Sequence, residues 1–304
     1  MTDYGHELKF GTFITPQSQR PKQPVALAQL SERARLDLVT FQDHPYQPAF
    51  LDTLTLLAWV LASTEKVHVA GDVHNLPLRP PAVLARAAAS LDRLSSGRFE
   101  LGLGPGGFWD AIAAMGGPRR TPGEAVAAVS EAIDIMRAIW NTEERGGVRV
   151  AGQVFQVVGA KRGPQPAHDI SIWLGAAGPR MLRLVGEKAD GWLPSLFGRL
   201  TVADLARGNR IIDEAATAAG RDPRSIRRLV NFSGAFASSN DGFLHGPAEQ
   251  WVDQLLPLVL DDGFGTFFLA DDEPDAIQRF GEEVAPALRT IVEKERGSTN
   301  VSYA

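Results

Sequence analysis

Residues 98–107 read Arg-Phe-Glu-Leu-Gly-Leu-Gly-Pro-Gly-Gly. A short apolar run of strand type leads straight into a glycine-dense loop, and a helical pattern follows over residues 108–115. Strand, loop and helix in that order form the unit of a parallel α/β sheet, and the unit recurs on both sides. Upstream, strand-like runs at 8–15, 38–42 and 67–73 precede helical patterns at 24–36, 52–63 and from Pro80-Pro81 to Ser95-Ser96-Gly97. Asp52 is placed to cap the second helix. Downstream, a helix at 122–140 is followed by strands at 170–174, 191–194, 228–236 and 266–269. These alternate with helices at 179–188, 202–219, 247–260 and 275–295. Eight strands alternating with helices predict a closed (β/α)₈ barrel, with an open doubly wound sheet as the competing fold. Residues 148–157 break the alternation with a hairpin pattern, and Gly163-Pro-Gln-Pro166 reads as a surface loop. The expectation is one domain over 1–304, with an insertion at about 141–169 and a loose polar tail at 297–304.

Composition narrows the chemistry. The 304 residues are 44% hydrophobic and 22% charged, enough for a large core and too apolar for bulk disorder. A net charge of −5 offers no general attraction to nucleic acid or to an anionic membrane. There is no cysteine, so disulfides, thiolate nucleophiles and thiolate metal sites are excluded. The first residues lack the pattern of a signal peptide, and no apolar run reaches the ~18 residues a membrane span needs. A cytoplasmic protein is the expectation.

In parallel barrels ligands sit at the C-terminal strand ends. Gly102, Gly104 and Gly107 satisfy G-x-G-x-x-G, but no acid-ended strand follows at the dinucleotide spacing, and the glycines equally suit a tight βα turn. Gly104, Gly106 and Gly107 are the candidates for a ligand-facing loop. Gly175, Ala176, Ala177 and Gly178 precede Pro179 at the start of a helix. The first-turn amides of such a helix have no internal partners and suit a phosphate, with Arg180 adding charge; the alternative is an ordinary helix start. Asp43 and His44 end the second strand, where a His can bind a ring carbonyl or move a proton while the Asp fixes its tautomer. Asp72, Val73 and His74 bring polar groups to the end of the third strand, with Asp72 and His74 on one side. His68 reads as packed, and His6, His168 and His245 fall in loops. No third or fourth ligand has metal spacing, so no metal site is expected. No Gly-x-Ser-x-Gly elbow or Walker loop is present.

Taken together these residues resemble the bacterial luciferase-like monooxygenase superfamily, which includes flavin-dependent oxygenases and enzymes that use the deazaflavin coenzyme F420. The resemblance is carried by Phe10-Gly-Thr-Phe13, Gln42-Asp-His-Pro45, Val73-His-Asn-Leu-Pro-Leu-Arg-Pro80 and Leu91-Asp-Arg-Leu-Ser-Ser-Gly-Arg98. Phe99-Glu-Leu-Gly-Leu-Gly104, Trp173-Leu-Gly-Ala-Ala-Gly-Pro179 and Ala189-Asp-Gly-Trp192 continue it in order, over roughly residues 8–195. It implies a TIM barrel with a tricyclic ring in its mouth and a phosphate near Gly178. It also implies a bulge, often a non-prolyl cis peptide, at Asp72–Val73 behind the ring. Asp43 and His44 match the pair near the ring in deazaflavin enzymes of this group.

The loop after the fourth strand departs from the family. Gly107 stands where sugar-phosphate dehydrogenases carry a glutamate, and Pro105 where luciferases carry an arginine, so neither reaction is carried over. Phe13, Phe108, Trp109 and Trp192 are the candidate walls of an apolar substrate pocket, core packing being the alternative. The expected activity is hydride transfer between F420 and an organic, hydrophobic substrate. FMN-dependent oxygenation with a separate flavin reductase is the second reading, and a non-catalytic flavin-binding protein the third. The resemblance further implies a homodimer.

Overall fold

The computed structural model of the chain describes residues 3–197 and 200–301. In chain order the elements are β1 (Lys9–Ile14), α1 (Gln23–Arg33), β2 (Leu38–Phe41), α2 (Thr53–Ser63), β3 (His68–Asn75), α3 (Pro81–Leu94) and β4 (Phe99–Gly104). Then come α4 (Trp109–Ala114), α5 (Pro122–Trp140), β5 (Val148–Ala151), β6 (Gln156–Ala160), β7 (Ile172–Leu174), α6 (Pro179–Lys188) and β8 (Gly191–Trp192). The chain closes with α7 (Val202–Ala218), β9 (Arg227–Phe232), β10 (Ala235–Phe236), β11 (His245–Gly246), α8 (Ala248–Leu260), β12 (Thr266–Leu269), α9 (Pro274–Arg279) and α10 (Ala285–Val301). Eight parallel strands close in the order β1-β12-β9-β8-β7-β4-β3-β2. The barrel, and not the open sheet, is the fold.

Local chemistry sets the helix starts. The Asp52 carboxylate accepts the Thr55 amide at 2.9 Å, Thr121 and Glu124 form a reciprocal capping box, and proline occupies the first turn of α1, α3, α5, α6 and α9. Side chains alternate across each strand. Val39, Phe41, Val69, Leu101, Val230 and Phe232 face the helices, while Leu38, Ala70, Trp173, Leu193, Leu229 and Phe268 fill the barrel interior. Gly11 and Gly191 leave room for those rings. An added Cβ would lie 2.8 Å from Phe268 Cδ1 at Gly11 and 2.6 Å from Trp173 Cδ1 at Gly191.

The segment 141–169 carries the expected hairpin, β5 against antiparallel β6. Glu131 holds its turn by accepting the amides of Gln153, Val154 and Phe155. Two expectations are corrected, and one helix gains a detail. Strand β9 stops at Phe232 and does not run to 236, because Gly234 packs against the Leu244 carbonyl and the Trp251 ring; Ala235–Phe236 then pair with His245–Gly246. The last helix runs without a break through residues 274–301, covering the expected 275–295, but it is not α throughout. A π-turn at Phe280–Val284 joins α9 to α10, where Gly281 lies so close to Ala34 that a Cβ would meet its carbonyl. The tail expected to be loose from 297 is helical to Val301; residues 302–304 lie outside the described residues. Arg296 anchors that helix through a two-pronged pair with Asp3 and a bond to the His6 carbonyl.

Candidate active site

The site is built at the C-terminal strand ends. Pairing between β3 and β4 slips between Gly71 and His74, and the Asp72–Val73 peptide bond is cis. The Val73 side chain leans across the neighbouring strands. A Cβ would come within 3.2 Å of it at Gly102, 2.5 Å at Gly104 and 3.2 Å at Gly175. Gly104 and Gly175 therefore make room for valine, while at Gly102 the nearer obstacle is the Gly71 carbonyl, 2.2 Å from such a Cβ. The loop glycines do something else. Gly106 adopts φ +93°, a left-handed conformation suited to glycine, and a Cβ on Gly107 would meet nothing within 4 Å.

Two cavities result. One, of about 300 Å³, is lined by Asp43, His44, Tyr46, Asp72, Val73, His74, Asn75, Gly104, Pro105, Gly106, Gly107, Phe108, Gly175, Leu193 and Ser195. The other, of about 390 Å³, lies between Trp109, the first turns of α5 and the start of α6, including Gly178, Pro179, Arg180 and Met181. They share Pro105 and Gly106. Gly178 caps α6 without any side-chain acceptor, and a Cβ there would meet open space. Arg180 is exposed and forms no ion pair among the described residues. An open helix N-terminus beside a free guanidinium suits an anion.

The charged groups of the first cavity divide sharply. Asp43 is buried and receives Arg79 on both oxygens, Nε at 2.5 Å and Nη2 at 2.7 Å, together with the Asn75 amide at 2.9 Å. Burial opposes ionisation of Asp43, but Arg79 and His74 outweigh it and hold its carboxyl well below the usual carboxylate range. Asp43 thus serves Arg79 and faces His74 at 3.6 Å; its oxygens are spent there, which corrects the expectation that it fixes the tautomer of His44. His44 sits among Tyr46, Phe50 and Phe108, with ring centroids at 5.4, 6.4 and 5.4 Å. Burial lowers its pKa against the pull of Asp43, so the imidazole is neutral at pH 7. Asp72 lies on the interior face of β3, bonded to the Thr40 hydroxyl at 3.3 Å and the Asn231 amide at 3.1 Å. Burial pushes its carboxyl up to about 7.

Other sequence candidates separate. Phe108 lines the first cavity, 61% exposed, while Trp109 lines the second. Trp192 is corrected out of the substrate pocket. Its neighbour Gly191 faces inward under Trp173, so Trp192 points outward onto Gly208 and Phe264 and donates to the Ala176 carbonyl at 2.9 Å. Ala176 is accordingly buried, Ala177 is exposed outside both cavity walls, and Phe13 stacks on Phe197 beside the interior cluster. Arg79, Tyr46, Asn75, Leu193, Ser195 and Asn231 were not foreseen. Asn231 had a signal, a lone amide inside the apolar run Leu229-Val-Asn-Phe232.

At the opposite barrel end His168 and His68 share Glu100, and a polar cleft of about 860 Å³ lies at the start of β7. Its Arg137 is committed to Asp190, and its Arg221 to the Gly186 and Ala189 carbonyls. Among the described residues no cluster of three or more His, Asp or Glu is arranged to hold a metal, and no helix is long and apolar enough to cross a membrane.

Comparison with known proteins bears on this geometry. The model of the family described as luciferase-like monooxygenase matches residues 8–255. The F420-dependent glucose-6-phosphate dehydrogenase of Nocardia farcinica is 30% identical over 232 residues, 74% of this chain and 68% of that protein. The 5,10-methylenetetrahydromethanopterin reductase of Methanolobus tindarius is 33% identical over 218 residues, 68% of this chain and 60% of that protein. Among solved structures, an F420-dependent secondary alcohol dehydrogenase in complex with an F420–acetone adduct superimposes with TM-score 0.82. It is 18% identical and covers 93% of this chain and 99% of its own. A long-chain alkane monooxygenase gives TM-score 0.77 at 15% identity, covering 96% of this chain and 92% of its own. At those identities the two structures show the shared fold.

Proposed function

Because the chain belongs to the luciferase-like monooxygenase family of oxidoreductases, we propose that it transfers hydride between coenzyme F420 and an organic, hydrophobic substrate. The observation that carries this reading is the pair of cavities meeting at Pro105 and Gly106. A flat ring suits the one at the strand ends, and a phosphate suits the one at the start of α6. The residues fit such a molecule: Val73 presents an apolar wall, Gly107 and Gly178 open onto free space, and the α6 amides and Arg180 await an anion. The relatives named F420-dependent favour the deazaflavin over FMN.

Bound F420 supplies a two-electron hydride donor or acceptor, and the protein supplies position and shielding. Val73 and the chain at 104–107 wall one side of the cavity, and neutral His44, propped by Tyr46 and Phe108, offers a hydrogen bond at its rim. Gly107 and the absence of any acid in that loop's wall speak against a sugar phosphate. Phe108 gives the mouth an apolar lip instead. The test is a fluorescence titration of the purified protein with F420 and, separately, FMN. F420 should bind the more tightly. Binding of FMN alone would move the reading to an oxygenase served by a flavin reductase, and binding of neither would end it.

The same reading includes a homodimer. An apolar groove of about 670 Å³ runs between α1 and α2 past Val25, Leu51, Leu56 and Trp59, and Trp59 is 68% exposed. An exposed tryptophan beside such a groove is the composition of a protein interface.

A further inference from the structure

We infer that Asp72 is the acid–base residue of this site, holding at neutral pH the proton that accompanies hydride transfer. The inference rests on the hydride-transfer reading and adds to it the group that balances the reaction. An alcohol that becomes a carbonyl loses a hydride from carbon and a proton from oxygen. Asp72, as carboxylate, takes that proton, its own O–H bond forming as the substrate's breaks. In the reverse direction the Asp72 acid gives the proton to the carbonyl oxygen and keeps the electron pair.

Geometry singles out Asp72. Among the described residues two carboxyl groups line the cavity, and of these only Asp43 has a cation, Arg79. Asp72 meets only neutral groups: the Thr40 hydroxyl of β2 and the Asn231 amide of β9, which also donates to Ser195 at 3.1 Å. The Thr40 hydroxyl has one proton and two acceptors in reach, the Thr12 carbonyl at 3.1 Å and Asp72 Oδ2 at 3.3 Å. One hydroxyl proton cannot serve both at once, so Thr40 gives the Asp72 carboxyl at most a shared hydrogen bond. β4 brings Gly102 and Gly104 beside Asp72; Glu100, on the same interior face, lies at the opposite barrel end with His68 and His168. The remaining titratable groups of the cavity are His44, Tyr46 and His74; His74 faces Asp43, and His44 is kept neutral by burial. Two carboxyl groups in one site with environments that drive their proton affinities apart are the usual mark of divided acid and base duties. Asp72 also has what reversible transfer needs, since two neutral donors can hold its carboxylate once the proton has gone.

Carboxyl ¹³C titration of the protein without cofactor tests the first half. One resonance, absent in Asp72→Asn, should titrate two or more pH units above the exposed aspartates; its titration among them would overturn the inference. Single-turnover hydride transfer tests the second half. Wild type should show a pH limb near neutrality, and Asp72→Asn should lose it and slow on the order of 100-fold or more. Retention of both the limb and the rate would overturn the assignment. Should Asp72→Asn not fold, Thr40→Val removes one donor to the carboxylate and should move both the resonance and the limb to higher pH; no movement would overturn it. If wild type binds no F420, the functional reading falls, and with it the catalytic role of Asp72, whatever the carboxyl titration shows.

Discussion

Arg79 decides the charge of this cavity one residue at a time. Its guanidinium bridges Asp43 and the α2 cap Asp52, with only 13% of its side chain exposed. Arg79→Ala would strand the buried Asp43 carboxylate, and a loss of about 3–5 kcal/mol is expected in chemical denaturation. A loss under about 1 kcal/mol would show that water replaces the guanidinium. Asp72 gives the opposite signature. Its carboxyl titrates near 7 when folded and near 3.9 when unfolded, so between those values the folded state binds one proton more. Stability therefore falls as pH rises from about 4 to 7, by at most roughly 4 kcal/mol, and Asp72 adds no slope above that. Asp72→Asn should gain on wild type across that window when both are denatured at pH 5 and pH 7.5; parallel curves would contradict the assignment. Sequence showed both aspartates at strand ends but not their partners. Arg79 lies 36 residues from Asp43, and Asn231 lies 159 residues from Asp72.

Elements were legible where a local cap or a long alternation marks them. Asp52, Pro122 and Pro179 announce their helices, and the barrel strands fall on apolar runs, two of which, β4 and β7, meet glycine loops. Two-residue β8 offers no alternation to read, so the direction of Trp192 depended on Trp173 filling the interior first. The end of β9 and the π-turn were hidden for a related reason. Each is set by a tertiary approach, at Gly234 and Gly281, that no local pattern records. The tip of β4 yields an element-scale prediction. Gly104→Ala should cost about 1–3 kcal/mol and weaken F420 binding, because the new methyl must displace Val73 from the cavity wall. Thermal denaturation and a cofactor titration check both halves, and unaltered affinity would remove Val73 from the binding surface.

At the scale of the molecule, the barrel interior is layered: His68, Glu100 and Arg227 at the strand starts, an apolar layer above them, and polar groups toward the cavity. Leu38, Ala70 and Leu229 give way along the same strands to Thr40, Asp72 and Asn231. Strand parity carries these side chains inward and the closed sheet brings them together, which is why spacing along the chain could not reveal the cluster. The outer surface carries the quaternary prediction. Trp59→Asp places a charge in the α1–α2 groove and should shift a dimer to monomer in sedimentation velocity while the barrel stays folded. A wild-type monomer would remove the groove's assigned role.

The wedge of Val73 between Gly104 and Gly175 ties the histories of three strands together. None of those positions is free to drift alone, since any side chain gained on one strand must be matched by atoms shed from another. Val73→Ala combined with Gly104→Ala should recover much of what Gly104→Ala loses. A lineage that tolerates alanine at Gly104 or Gly175 would be expected to have trimmed the valine first.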